Sequence, residues 1–68
     1  MKVHFDDKSD AVFIRLDETK KIFESQEVEK GIILDFDENG EVIGIEILKV
    51  KDRISGDQLK EMKFQVAN

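Results

Sequence analysis

The side chains in this sequence with most potential for chemistry are carboxylates. Asp35, Asp37 and Asn39 alternate, Gly40 follows, and Glu46 stands six residues beyond it. That spacing matches every specified position of a calcium-binding loop, in which hard oxygen donors surround the ion and the glycine allows a sharp turn. Val42 also supplies the apolar residue usual at the eighth place of such a loop. The flanks argue otherwise, because a calcium loop lies between helices and here Gly31, Ile32 and Ile33 precede it, while Ile43 fills a place that is usually polar. Asp, Asn and Gly are equally the residues of a tight turn, so a β-hairpin accounts for the same letters. The hairpin is the preferred reading, with a weak divalent-ion site at Asp35, Asp37 and Glu46 as its alternative.

Other candidates are sparser. His4 is the single histidine, and with no cysteine in the chain both thiolate zinc sites and histidine clusters are excluded. On a probable edge strand, His4 reads as a surface side chain. Asp6 and Asp10 are spaced so that they can pair as acid and base, although Asx capping of the intervening turn explains them as well. Ser9, Thr19, Ser25 and Ser55 lie in no nucleophile elbow, and the glycines form no phosphate-cradling loop. No catalytic, cofactor-binding or metal-ligating residue is assigned, and the chain is read as a non-enzyme.

The elements that would position these groups fit one domain over residues 1–68. A chain of this length buries only about 60% of the surface its unfolded form exposes, so its core is thin. Without disulfides, association is the readiest source of further burial. The net charge of −5 opposes nucleic-acid binding, which depends on basic side chains meeting phosphates. Lys49, Lys51 and Arg53 alternate as a small basic stretch, read as an edge strand protected by charge. No apolar run reaches the length of a membrane span and no leader pattern is evident, so a cytoplasmic protein is expected.

Period-two alternation predicts strands over about 2–5, 11–16, 22–29, 31–37 and 41–50, the third being the weakest. The Asn39–Gly40 pair suits a two-residue turn, because both central positions need positive φ. Phe36 then pairs with Ile43, Leu34 with Ile45 and Ile32 with Ile47, all apolar. A three-residue loop would set Leu34 against Gly44 and Ile32 against Glu46, and is disfavoured. Ser55 and Gln58 form a capping box that opens a helix over about 56–66. Leu59, Met62 and Val66 share its apolar stripe, expected to cover the Ile43, Ile45, Ile47 face, whereas Phe64 points away from it, so that either the helix frays before Phe64 or Phe64 meets a second subunit. The expected architecture is α+β, a small antiparallel β-meander of four to five strands with one C-terminal helix packed on one face.

Phe5–Asp6, then Asp10-Ala11-Val12-Phe13-Ile14-Arg15-Leu16, then the stretch Gly31–Gly40 and finally Gly44-Ile45-Glu46-Ile47-Leu48 together resemble the prokaryotic domain of unknown function family numbered 2283. The likeness spans about the first fifty residues. Phe5 and Phe13 stand where that family usually has tyrosine, which removes two hydroxyls and speaks against tyrosine chemistry. The resemblance implies a small sheet-plus-helix fold and carries no established activity. The residue pattern adds a half-apolar second sheet face bearing Phe13, Ile33, Val42 and Leu48, which a monomer would leave wet. A dimeric interaction module, self-associating through that face or through an exposed edge strand, follows as the leading expectation, with no nucleic-acid or membrane partner and no cofactor. Neutralisation of a small basic toxin is a further alternative consistent with the acidic charge.

Overall fold

The computed structural model describes residues 1–58, 60 and 61. Five strands, β1 (Lys2–Asp6), β2 (Ala11–Arg15), β3 (Glu24–Glu29), β4 (Ile32–Phe36) and β5 (Val42–Leu48), precede a one-turn helix, α1 (Val50–Arg53). All five expected strands are present, with ends shifted by one or two residues. They form one antiparallel sheet in the order β1-β2-β5-β4-β3. The arrangement departs from a plain meander: β5 inserts between β2 and β4, so the β2–β3 connection crosses to the far edge. The physical reason is that β5 carries Ile43, Ile45 and Ile47 and gains most from neighbours on both sides.

The β4–β5 hairpin keeps two of its three expected apolar pairs, Leu34 with Ile45 and Ile32 with Ile47, while Phe36 meets Val42 instead of Ile43. The amide of Gly40 donates to the Asp37 carbonyl at 3.0 Å and the Asp37 amide donates to the Glu41 carbonyl at 2.9 Å. These bonds enclose a three-residue loop, and Gly40 takes φ +79°, the left-handed conformation this loop needs at its last position. The two-residue turn is therefore corrected. A register shift between Asp35 and Phe36 adds one residue to β5 and restores the apolar pairing that a three-residue loop alone would scramble. The same shift sets Val42 opposite Phe36, away from the face of Phe13, Ile33 and Leu48 with which it was grouped.

The C-terminal part also differs from expectation. Lys49 turns left-handed at φ 51°, ending the strand, and Lys51 and Arg53 belong to α1 rather than to an edge strand. Asp10 explains the switch: its backbone carbonyl accepts the Val50 amide at 3.0 Å and its Oδ1 accepts the Lys51 amide at 3.1 Å. Two amides at the start of α1 are thus satisfied from the first hairpin, 41 positions away for Lys51. Further on, residues 56–58, 60 and 61 are helical, and Ser55 Oγ accepts the Gln58 amide at 3.3 Å as the capping motif predicts. Leu59, Met62, Phe64 and Val66 lie outside the described residues, and with them the expected packing of that helix.

One face of the sheet carries Val12, fully buried together with Val50, with Val3, Phe5, Ile14, Ile47 and Ile54 packed around them. Among the described apolar residues only Ala11, Val12, Ile43 and Val50 are buried. Most of the β-branched side chains therefore remain half-buried, in keeping with the thin core expected of a chain this short. No helix among the described residues is long and apolar enough to cross a membrane.

Candidate functional site

The second face of the sheet is where the polar chemistry gathers. Successive strand pairings place Lys2 beside Arg15, Arg15 beside Gly44, Gly44 beside Asp35 and Asp35 beside Ser25 in one lateral row. The neighbouring row runs His4, Phe13, Glu46, Ile33 and Glu27. Directly paired residues point to one side of a sheet, so these ten share a face. His4 stacks on Phe13 with ring centroids 6.3 Å apart and planes inclined by 25°.

Asp35 is only 2% exposed, an unusual place for a carboxylate. Two features accommodate it. Ser25 Oγ donates to its Oδ1 at 2.6 Å, and the absence of a side chain at Gly44 leaves room for it. A Cβ at position 44 would lie 2.9 Å from Asp35 Oδ2 and 3.2 Å from the Ile14 carbonyl oxygen, both too close. Gly44 thus keeps the space into which Asp35 folds. Glu46 completes the cluster: burial first, then a hydrogen bond and like charge from Asp35, push its carboxyl up to about 6. Below that value the protonated Glu46 carboxyl can donate to a neighbouring oxygen in place of repelling Asp35. Arg15 lies in the same row, its Nη2 donating to the Lys20 carbonyl at 2.6 Å while Nε is buried without a hydrogen-bond partner among the described residues.

Of the three residues of the calcium alternative, Asp35 and Glu46 meet but Asp37 turns away. Its Oδ1 accepts the amides of Asn39 at 2.9 Å and Glu41 at 3.0 Å, and Lys20 Nζ lies 3.5 Å from Oδ2. The Glu41 and Asn39 amides, with Lys20, hold the Asp37 carboxyl below the usual range against a desolvation cost. Asp37 is therefore the organiser of its own loop. Among the described residues no group of three or more histidine, cysteine or acidic side chains is arranged to hold a metal ion.

Asp6 and Asp10 do not meet as an acid and base pair. Asp6 accepts from the Lys8 amide at 3.1 Å and from Ser9 Oγ at 2.9 Å, and the Ser9 bond foremost holds its carboxyl low. Asp10 serves α1, as described above. Sequence reasoning grouped Asp35 and Glu46 as possible ion ligands but missed Gly44, Ser25 and Arg15 as their setting. The signal was available in the register itself, which places Asp35, Gly44 and Glu46 on one face.

A family model described as a protein of unknown function, DUF2283, matches residues 2–51. Comparison with curated proteins gives no match, and neither does comparison with solved structures. The matched segment contains every strand of the sheet, α1 up to Lys51, and all ten residues of the two rows. By that match over most of its length, the chain belongs to the DUF2283 family.

Proposed function

We propose that this protein is a non-enzymatic interaction module that self-associates through the sheet face bearing Phe13, Ile33 and Leu48. The observation that carries this reading is the makeup of that face. Phe13 and Ile33 flank Glu46 on either side, Leu48 lies one step along β5 on the same side, and all three remain only half-buried. Covering them against a second subunit removes apolar surface from water at roughly 25 cal/mol per Å². For a domain with four buried apolar residues among those described, such a gain is large relative to its own margin.

The most buried polar group of the face, Asp35, is already partnered within the chain. Ser25 Oγ donates to Asp35, but that carboxylate is almost wholly covered and so poorly placed to reach a substrate. This favours a binding surface over a catalytic one. The test is Ile33→Lys, which replaces one of the three apolar side chains of that face by a charge. Sedimentation velocity of the variant should show a monomer where the unsubstituted protein shows a dimer, and an unchanged mass would remove this face from consideration.

A further inference from the structure

The charges on the second face are segregated across the strands. Lys2 and His4 of β1 and Arg15 of β2 stand on one side; Glu46 of β5, Asp35 of β4 and Glu27 of β3 stand on the other. Asp6 also belongs to β1, but its carboxylate is folded onto Lys8 and Ser9 at the turn. Phe13 stands on β2 within the cationic half and Ile33 on β4 within the anionic half, at the same level along the strands. A patch that is cationic at one side and anionic at the other, with an apolar side chain in each half, is complementary to itself after a half-turn.

The sheet offers two in-plane two-fold axes, and they differ in outcome. An axis perpendicular to the strands stacks β1 on β1 and β3 on β3, setting like charges together. An axis parallel to the strands stacks β1 on β3 and β2 on β4, so that Lys2 faces the glutamate side and Arg15 faces Asp35. We infer that two copies of this chain pair face to face about a two-fold axis running along β5, with β1 and β2 of one copy over β3 and β4 of the other. This deepens the self-association reading above and rests on it.

The same axis brings Glu46 of one copy against Glu46 of the other. The charged and titratable groups facing it are Asp35 from β4, Glu27 from β3, Arg15 from β2, and His4 and Lys2 from β1. Two further-desolvated carboxyls meet best when protonated, as the direction of the Glu46 shift already favours. Pairing therefore takes up protons and weakens as pH rises.

Charge reversal tests the geometry with variants whose changed side chains are exposed. Lys2→Glu sets a negative charge over the anionic half of the other copy and Glu27→Lys a positive charge over its cationic half, each at two symmetry-related places, so each variant alone should self-associate roughly tenfold more weakly. Mixed in equal amounts, the two should form a heterodimer with both contacts attractive and recover the unsubstituted affinity. Sedimentation equilibrium at about pH 5.5 and 7.5 reads both effects. Reversals that leave a dimer unaltered, or a mixture that fails to recover, overturn this arrangement while self-association stands. A dimer that tightens with rising pH overturns it as well. A monomer at all concentrations with no substitution would instead overturn the underlying reading.

Discussion

Replacing Glu46 with Gln should make the protein more stable near neutral pH and remove a pH dependence that the unsubstituted chain must show. The carboxyl of Glu46 moves from an ordinary value of 4.5 to about 6, because burial and the neighbouring Asp35 disfavour its charged form. A group that holds its proton more tightly when folded contributes stability below its unfolded value, and loses it as pH rises through the folded value. Stability should therefore decline between about pH 4.5 and 6.5 and level off above. One pKa unit is worth about 1.4 kcal/mol, so this shift amounts to at most about 2 kcal/mol. Glu46 keeps some contact with solvent, which screens the interaction and brings the expected change nearer to about 1 kcal/mol. For a domain this small that is a change of about 4–8 °C in melting temperature. Thermal melts at low protein concentration, in a His4→Gln background that removes the chain's single histidine, isolate the effect. Glu46→Gln should match the parent at pH 4.5 and exceed it at pH 7.5. Equal stability of the two at pH 7.5, or a parent that gains stability from pH 5 to 7, would refute the account of a proton held between Asp35 and Glu46.

Gly44→Ala should destabilise by about 1–3 kcal/mol in urea titration, because the new methyl meets Asp35 Oδ2 at 2.9 Å and the Ile14 carbonyl behind it. Asp37→Ala leaves the Asn39 and Glu41 amides without their acceptor and should cost about 1–3 kcal/mol, with faster hydrogen exchange at those two amides. Calorimetric titration with millimolar calcium should give no saturable heat, because Asp37 is committed to its loop and to Lys20, which leaves Asp35 and Glu46 too few donors to enclose the ion.

Much of this architecture was legible in residue alternation. The period-two runs located all five strands, and demanding apolar partners for Ile32 and Leu34 selected Ile47 and Ile45 correctly. The same demand misjudged the turn. Two irregularities that cancel, a three-residue loop and an extra residue in β5, leave the same apolar pairs as a simple turn, so alternation cannot distinguish them. The helix α1 escaped notice for a different reason. Lys49, Lys51 and Arg53 alternate like an edge strand, and what makes their segment helical is Asp10, an acceptor remote in sequence. The order of strands was likewise set by contacts that no local pattern records, namely the pairing of β2 with β5.

The candidate site was legible in part. Asp35 and Glu46 were selected for their chemistry, but with Asp37 as the supposed third member, since spacing along the chain suggested convergence. Burial of Asp35 and the close approach at Gly44 depend on three strands at once, β2, β4 and β5, and appear only when those strands are assembled. Ser25 sits on β3, the strand with weakest sequence support, and its role depends on the β3–β4 register.

The central claim is that the face bearing Phe13, Ile33 and Leu48 meets a second copy of the chain. Light scattering across a hundredfold range of concentration tests it most directly. The account predicts a mass approaching twice the chain's 7.9 kDa at the upper end of that range, and a return to a single chain for Ile33→Lys under the same conditions. A mass that stays at one chain throughout, or an Ile33→Lys variant that keeps the doubled mass, would contradict it.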